Sequence, residues 1–343
     1  MCGLKNVQET EMKLGIIGTG KIVVEALGAM EPLHEIKRNA IFARPHSRAK
    51  GEALAAQYAI PGVYTDYEKL LAEADIDTVY IGLINSVHYS YARKALEHDK
   101  NVILEKPFTG TYEEAQELFD FGREKGLFVF EAITVLHSDV IEKMRACLPK
   151  IGKIRMMLSN YSQYSSRYDR YLSGEVDPSF DLKKMGGALR DINVYNLHYA
   201  VDLFGEPLKS QYFPNTGFNG IDTSGTMILE YDGFSAVCTG AKDSDSPCFV
   251  QIQGEKGYMR IDGKPNAASN LTIVITEEGK PVPDASGAMV RPSKKEEFTA
   301  ESVYHRLTGE FKDFARIIDR KDYAKAERYA SETLGVMKII ECI

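Results

Sequence analysis

Three polar side chains of this sequence are of types that donate, accept and orient protons. Lys106 closely follows the apolar run Val102–Leu104, so it lies at the carboxyl end of a predicted inner strand, where a sheet otherwise avoids charge. Asp191 and Tyr195 are four residues apart, which makes them neighbours on one face of an α-helix. A lysine, a carboxylate and a phenol can together move a proton at a reacting oxygen. These residue types indicate acid–base chemistry.

Each of these residues also has a structural interpretation. Lys106 could end its strand in solvent, paired with Glu105. Asp191 could cap a helix, and Tyr195 could be a core residue with its hydroxyl satisfied. The ligand edge of a parallel sheet favours the functional interpretation of Lys106. For Asp191 and Tyr195, the residues alone leave both interpretations open.

A second chemical feature is the glycine-rich turn within Met12–Val24, MKLGIIGTGKIVV. We predict a strand, a tight turn at Gly18-Thr19-Gly20 and a helix. Gly18 lets the backbone turn, and Gly20 has no side chain to keep a pyrophosphate from the helix N-terminus, where free N–H groups favour an anion. Val23 stands where the G-x-G-x-x-G pattern has its third glycine, so we expect wider packing or a tilted helix. The alternative is an ordinary strand-to-helix turn.

The elements that position these residues are predicted from apolar periodicity. Strand and helix patterns alternate about six times over roughly 120 residues, which predicts a doubly wound parallel sheet. The predicted strands are Lys13–Ile17, Asn39–Ala43, Val63-Tyr64, Thr78–Leu83, Asn101–Leu104 and Leu127–Phe130. Asp66 and Thr111 are predicted to begin helices. Ligands bind beyond the carboxyl ends of such strands. The strand ends at that edge are Gly18–Gly20, Ala43–Arg48, Leu83–His88 and Glu105–Pro107.

Beyond Ala132 the pattern changes to long alternating runs with short turns. These predict an open, mainly antiparallel sheet with helices on one face, an α+β domain. The helical segments are Gly187–Phe204 and Tyr304 to about Ile340, and the second is interrupted near Asp319–Lys325. Gly279–Ser293, rich in proline and glycine, is predicted to be a loop. The predicted divisions are an extension at 1–12, a dinucleotide-binding domain at 13–131 and a substrate-binding and oligomerisation domain at 132–343. Met12 is an alternative start.

Composition excludes several classes of function. The chain has 343 residues and a formal net charge of −7, with 42 basic against 49 acidic residues, which argues against a nucleic-acid partner. Its five cysteines are scattered without a Cys/His cluster, so we expect no metal site and reduced thiols in a cytoplasm. No segment has the length and apolarity of a signal peptide or a membrane span, so we expect no membrane association.

The residues at the end of the second predicted strand indicate which cofactor is used. An NAD site usually has an acidic residue there to accept from the ribose 2′-hydroxyl, yet no acid occurs from Asn39 to Gly51. Instead Arg44 and Arg48 flank Ser47, and two guanidinium groups with a hydroxyl could enclose a 2′-phosphate. The alternative is that the arginines solvate the helix start. We expect NADP(H) to be preferred over NAD(H), held mainly by Arg44.

Taken together, these residues resemble the glucose-fructose oxidoreductase / inositol dehydrogenase / rhizopine catabolism (Gfo/Idh/MocA) family of NAD(P)-dependent oxidoreductases. The E-K-P tripeptide at Glu105–Pro107 and the D-x-x-x-(H/Y) pattern at Asp191–Tyr195 carry the resemblance, and the tyrosine variant looks most like the dimeric dihydrodiol dehydrogenase branch. The resemblance implies a Rossmann domain and an α/β domain whose sheet often forms the oligomer interface. It places the family's lysine on Lys106 and its catalytic His or Tyr on Tyr195.

The resemblance also extends to the loop after the fourth strand. Asn85 and His88 match an N-x-x-H pattern near the nicotinamide, although His88 could equally be a satisfied histidine at a helix start. Three positions depart from the family pattern. They are Val23 for glycine, Ile84 for proline and Asn193 for glycine.

The sequence therefore predicts hydride transfer between a nicotinamide and a carbinol or carbonyl carbon of a small sugar, polyol or cyclic diol. Tyr195, Lys106 and Asp191 are the predicted catalytic residues, and a homodimer or homotetramer through the second sheet is expected. The predicted cofactor contacts are Gly18, Thr19, Gly20, Lys21, Ile22, Arg44, Ser47, Arg48, Leu83, Asn85, His88, Glu105 and Lys106. The alternatives are a non-catalytic NAD(P)-sensing regulator and an NAD-linked polyol dehydrogenase.

Overall fold

The computed structural model describes residues 11–301 and 304–341. The predicted extension at 1–12 lies outside the described residues except for its last two positions, and Cys2 and Cys342 also lie outside them. The statements below concern the described part of the chain.

The described chain divides into two compact units. One contains the residues up to Ala132 together with 304–331, and the other contains 133–301 and 332–341. The segment 304–331 is therefore part of the first unit, whereas the sequence analysis assigns it to the second domain.

The sheet of the first unit has six parallel strands. They are β1 (Met12–Ile17), β2 (Ile36–Phe42), β3 (Gly62–Tyr64), β4 (Thr78–Ile81), β5 (Asn101–Glu105) and β6 (Val129–Ala132). Their order is β3-β2-β1-β4-β5-β6, so the direction of winding reverses between β1 and β4. Every residue of β4 and β5 is buried, because both faces of these central strands are covered. The predicted doubly wound parallel sheet is confirmed.

Helices connect these strands. They are α1 (Lys21–Ala29), α2 (Arg48–Gln57), α3 (Tyr67–Glu73), α4 (His88–Glu97) and α5 (Tyr112–Lys125). Asp66 caps α3 by accepting a hydrogen bond from the backbone N–H of Lys69, and Thr111 caps α5 in the same way through Glu114. These side-chain caps fix where the two helices begin.

The sheet of the second unit has eight strands. They are β7 (Ile154–Ser162), β8 (Lys209–Thr216), β9 (Asp222–Tyr231), β10 (Phe234–Ala241), β11 (Phe249–Gly254), β12 (Gly257–Asp262), β13 (Asn270–Thr276) and β16 (Ser293–Thr299). Their order is β16-β13-β12-β11-β7-β10-β9-β8, and only the β7–β10 pair is parallel. The prediction of an open, mainly antiparallel sheet is confirmed.

The helices of the second unit are α6 (Asp139–Cys147), α7 (Tyr168–Leu172) and α8 (Val194–Phe204). The first turn of the helix predicted at Gly187–Phe204 is instead a π-helical turn, Leu189–Asn193, and α8 follows it directly. Most of α8 is buried, so this helix supplies a large part of the core that covers one face of the sheet.

Periodicity missed the exposed edges of this sheet. Strand β16 has the sequence SKKEEFT and β8 contains Pro214, and such charged or proline-containing edge strands lack the apolar alternation that marks inner strands. The segment Gly279–Ser293, predicted to be a loop, contains a short hairpin of β14 (Val282–Pro283) and β15 (Met289–Val290).

The chain continues with α9 (Thr308–Arg320) and α10 (Tyr323–Glu341). The predicted interruption near Asp319–Lys325 is confirmed, and it occurs where Lys321 takes a left-handed backbone conformation with φ of 50°. Within the described ranges, no helix has the length and apolar character to cross a membrane.

Candidate active site

The glycine turn of the first unit has the geometry that an anion-binding turn requires. Gly18 has a φ of +124°, and a Cβ there would lie 2.7 Å from the carbonyl oxygen of Gly82, so only glycine fits. Helix α1 begins directly after Gly20, with no side-chain cap and no acidic residue in its first turn. Its first N–H groups are therefore left for a ligand, and a pyrophosphate fits their partial positive charge.

Val23, at the third glycine position, lies in the interior of the first unit. It is fully buried and packs over Gly82, which follows β4. A Cβ on Gly82 would come within 2.7 Å of Cγ2 of Val23, so the missing side chain on the strand makes room for the extra one on the helix. The glycine of the pattern is thus replaced by a glycine on the neighbouring strand.

The loop after β2 presents Arg44 to solvent. Arg44 precedes a 3₁₀ turn at Pro45–Ser47, and the Ser47 hydroxyl donates to the Arg44 carbonyl at 3.1 Å. Arg48 is engaged by Glu52, with 2.8 Å between Nε and Oε1. Among the described residues Arg44 forms no ion pair, so its guanidinium is available for a phosphate.

His88 is fully buried at the start of α4. Its Nε2 lies 3.2 Å from the Leu83 carbonyl oxygen, and its Nδ1 lies 3.0 Å from that of Pro107 and 3.3 Å from that of Phe108. Burial lowers the pKa of His88, which favours the neutral ring. These contacts favour the structural interpretation, in which the ring holds the loop after β4 to the loop after β5.

Lys106 follows β5 and is partly buried. Its peptide bond to Pro107 is cis, and its backbone N–H donates to Glu105 Oε2 at 3.2 Å. The other carboxylate oxygen of Glu105 accepts from the hydroxyl of Tyr80 on β4 at 2.7 Å. Glu105 is only 6% exposed, and its two hydrogen bonds connect β4 to the residue that follows β5 inside the protein.

A second buried carboxyl group lies near Glu105. Glu310, in the first turn of α9, is 1% exposed, and neither of its carboxylate oxygens has a hydrogen-bond partner among the described residues. Burial, with the nearby charge of Glu105, raises the pKa of Glu310 well above its ordinary range, while Arg306 opposes this shift. This shift favours the protonated form of Glu310 in the folded chain.

Glu310→Gln is expected to make thermal stability less dependent on pH. The unfolded chain releases this proton near pH 4.3, whereas the folded chain keeps it to higher pH, so Glu310 lowers the stability of the wild type increasingly as pH rises above about 4.3. We expect similar Tm values near pH 5 and a Tm about 3 °C or more above wild type near pH 8. Glu124→Gln, an exposed position on α5, is the control. A Glu310→Gln difference that is constant with pH would contradict the assignment.

In the second unit, Asp222 contacts a tight turn at Gly187. Gly187 has a φ of +106°, and a Cβ there would collide with Oδ1 of Asp222. Oδ2 of Asp222 accepts from the backbone N–H of Leu189 and from the hydroxyl of Tyr212, each at 2.7 Å. Burial raises the pKa of Asp222, and these hydrogen bonds work against that shift. The carboxylate thus fixes the start of the π-helical turn.

Asp191 lies in that π-helical turn and pairs with a lysine that no sequence pattern identified. Nζ of Lys242 lies 2.8 Å from Oδ2 of Asp191. Tyr195, on the first turn of α8, is 6% exposed, and its ring centroid lies 5.8 Å from that of Tyr161. Because the turn before α8 is π-helical, the spacing of a regular α-helix does not describe how Asp191 is positioned, and Lys242 is its observed partner.

Asn193, the third departure from the family pattern, is also accommodated by a glycine. It is fully buried, and its Nδ2 donates to the Cys238 carbonyl at 2.8 Å. A Cβ on Gly240 of β10 would lie 2.6 Å from the Cβ of Asn193. A larger residue on the helix is again matched by a glycine on the facing strand.

The structure thus brings Gly18, Leu83 and His88 together in the first unit and Asp191 and Lys242 in the second. Gly82, Gly240, Asp222 and Lys242 contact the predicted site residues or the turns that carry them, and sequence reasoning missed them because each acts through a partner distant in sequence. No group of three or more His, Cys, Asp or Glu suited to a metal occurs in the described part of the chain.

Comparison with known proteins agrees with this architecture. Residues 12–133 match the GFO_IDH_MocA oxidoreductase family with its NAD-binding Rossmann fold, and residues 145–260 match the GFO/IDH/MocA C-terminal domain. The chain is 31% identical over 328 residues to scyllo-inositol 2-dehydrogenase (NADP(+)) IolU of Bacillus subtilis (strain 168), covering 95% of this chain and 98% of that protein. It is 27% identical over 284 residues to trans-1,2-dihydrobenzene-1,2-diol dehydrogenase of Xenopus tropicalis, covering 81% of this chain and 83% of that protein.

Among solved structures, KijD10, a 3-ketoreductase from Actinomadura kijaniata in complex with NADP and TDP-benzene, has a TM-score of 0.79 at 20% identity, covering 97% of each chain. At that identity the likeness shows the fold alone. The matched family models and the full-length relative carry more, because the models cover most of both units and the relative is matched over 95% of this chain. The chain belongs to the Gfo/Idh/MocA family and is an NAD(P)-dependent oxidoreductase.

Proposed function

We propose that this protein catalyses reversible hydride transfer between NADP(H) and a carbinol or carbonyl carbon of a small polyol, sugar or cyclic diol. The observation that carries the proposal is the presence of Lys106 at the end of β5 and Tyr195 on α8 in a chain whose β1–α1 turn fits a dinucleotide. A protein that only senses the cofactor needs the turn but has no use for a proton donor.

The cofactor would be held at the carboxyl edge of the parallel sheet. The turn at Gly18 and Gly20 would receive the pyrophosphate, and Arg44 with Ser47 and Arg48 would receive the 2′-phosphate. When bound, the nicotinamide supplies the site that accepts or donates the hydride. Leu83, Asn85 and Glu105 complete the predicted contacts, whereas His88 would act indirectly, by holding the loops that carry them.

The proposed proton chemistry uses the chain's own side chains. Tyr195 exchanges the proton of the reacting hydroxyl, and the ammonium group of Lys106 orients and polarises the same oxygen. Asp191 provides a fixed negative charge in the turn that precedes Tyr195. Because Tyr195 is almost completely buried, water competes little for its hydroxyl.

The substrate class follows from relatives of similar length. IolU is named for oxidation of scyllo-inositol with NADP(+), and the Xenopus protein for a cyclic dihydrodiol. Both names describe a vicinal diol on a six-membered ring. We therefore place cyclic polyols and cyclic diols first among candidate substrates, with aldoses second.

The direct test is an absorbance assay for the reduced nicotinamide. The purified protein is incubated with NADP⁺ or NAD⁺ and a panel of inositols, aldoses and cyclic diols, and in the reverse direction with NADPH and the corresponding ketones. Turnover with at least one cyclic polyol or diol supports the proposal. Cofactor binding without turnover across the panel would favour the sensing regulator, and faster turnover with NAD⁺ would favour an NAD-linked polyol dehydrogenase.

We further propose a homodimer or homotetramer formed through the second sheet. On the face away from α8, a row of partly exposed apolar side chains crosses three paired strands, with Leu158 in register with Val237 and Val237 in register with Ile228. Such a continuous row on an open sheet suits a second copy of the chain. Light scattering should give a dimer or tetramer mass, and Val237→Lys should shift it towards the monomer. A monomeric wild type would contradict this.

A further inference from the structure

A buried lysine behind Asp191 has no part in the sequence patterns described above. Lys242 follows β10 directly, and its side chain is only 3% exposed. Removing an ammonium group from water costs free energy unless the group is paired and hydrogen-bonded. A lysine buried to this extent therefore requires compensating partners.

The ammonium group of Lys242 has two oxygen partners and one aromatic ring. Nζ of Lys242 lies 2.8 Å from Oδ2 of Asp191 and donates to the Ser179 carbonyl at 2.6 Å, and it sits 4.2 Å from the centre of the Phe180 ring. The two oxygens take two of its three N–H groups, and the ring face stabilises the charge in the remaining direction. Lys242 is therefore a cation with a built, enclosed site.

The pair is asymmetric in its access to solvent. The side chain of Asp191 is 35% exposed, whereas that of Lys242 is 3% exposed. The lysine thus lies behind the carboxylate, on the protein side, and the carboxylate reaches the surface of the unit. A charge pair arranged in this way fixes the orientation of its exposed member.

Lys242 also ties together the segments that shape the turn. The Ser179 carbonyl that accepts from Lys242 also accepts from the backbone N–H of Gly187 at 3.1 Å. The backbone N–H of Asp191 in turn donates to the Gly187 carbonyl at 3.0 Å. One ammonium group therefore connects the end of β10, the Ser179 loop and the π-helical turn.

We propose that Lys242 is a positioning residue that holds the carboxylate of Asp191 in a single orientation for the reaction. This inference rests on the proposed function, in which Asp191 provides a fixed negative charge in the turn before Tyr195. Asp191 also lies in a single π-helical turn directly before an α-helix, an arrangement that is frequent at functional sites.

The test is a double-mutant cycle of Lys242→Met and Asp191→Asn. Lys242→Met leaves a carboxylate that water can reach, and it should lower kcat by roughly tenfold, the effect of losing one charged hydrogen bond, with a smaller change in KM. The cofactor Kd, measured by fluorescence titration, should be unchanged, because the cofactor turn lies in the other unit. The double variant should be no slower than Asp191→Asn alone, since the two residues act as one group.

Lys143→Met is the matched control. Lys143 also pairs with a carboxylate, that of Glu296 at 2.6 Å, and also lies near a phenylalanine ring, that of Phe298 at 5.6 Å, but it belongs to α6 and touches none of the proposed site residues. It should lower Tm slightly and leave kcat unchanged. Lys242→Arg, which keeps the cation, should retain more activity than Lys242→Met.

The outcomes separate the two proposals. A loss of kcat in Asp191→Asn with wild-type kcat in Lys242→Met, or losses that multiply in the double variant, would overturn the role of Lys242 alone. An unchanged kcat in Asp191→Asn would overturn the assignment of Asp191 and with it that of Lys242. The same cycle measured on Tm reports whether the pair is coupled even in a protein without turnover, and additive Tm changes would also overturn the proposal.

Discussion

Tyr195→Phe is expected to lower kcat by roughly 100-fold or more while leaving the cofactor Kd unchanged, because a positioned general acid contributes on this scale. The substitution removes one oxygen from a side chain that is 6% exposed, so the ring packing against Tyr161 is retained. Steady-state kinetics and a fluorescence titration with NADP⁺ measure the two quantities.

Tyr199→Phe is the matched control for this variant. Tyr199 lies on the same helix, one turn further on, is fully buried, and donates its hydroxyl to the Pro265 carbonyl at 3.2 Å. Losing that hydrogen bond should cost about 1 kcal/mol of stability and should leave kcat near wild type. A Tyr195→Phe variant with near-normal turnover would contradict the assignment and would make Lys106 the candidate proton donor.

Arg44→Ala is expected to raise the Kd for NADP⁺ by roughly 10- to 100-fold, since a charge-assisted contact to a phosphate contributes about 1.5–3 kcal/mol. The Kd for NAD⁺, which has no 2′-phosphate, should change by much less. Arg48→Ala should have a smaller effect than Arg44→Ala, because Arg48 already pairs with Glu52. Titrating both cofactors against wild type, Arg44→Ala and Arg48→Ala gives the six dissociation constants required.

Lys37→Ala is the control for the change in net charge. Lys37 lies near the amino end of β2, whereas Arg44 follows the carboxyl end of the same strand. This variant removes the same charge from the other edge of the sheet, so it should leave the Kd of both cofactors unchanged. Equal losses of NADP⁺ and NAD⁺ affinity in Arg44→Ala would contradict recognition of the 2′-phosphate.

Local patterns were sufficient for the sheet of the first unit, the turn at Gly18 and several helix starts. The reason is that burial on both faces favours an unbroken apolar strand, a positive φ favours glycine, and the free N–H groups at the starts of α3 and α5 are satisfied by the side chains of Asp66 and Thr111. These are constraints between residues that are close in sequence, so a pattern can reveal them. Apolar periodicity did not predict the edge strands β8 and β16, because exposed strands do not need an apolar pattern.

What the sequence by itself determined was therefore the order of elements and the residue types at the strand ends. Only the tertiary structure decided how the departures from the family pattern are tolerated. Val23 and Asn193 each replace a glycine of the family pattern. Val23 is accommodated by Gly82, which directly follows β4, and Asn193 by Gly240 of β10. A periodicity signal cannot contain such a match, since packing volume is shared between residues that are far apart in the chain.

The tertiary structure also decided the roles of the charged and titratable groups. His88 lies in a closed set of backbone carbonyls, and Asp191 has the buried Lys242 as its counter-ion. Both facts depend on which loops meet at the end of a sheet. The free energy of a buried charge or imidazole is set by its immediate surroundings, and the sequence specifies those surroundings only once the chain has folded.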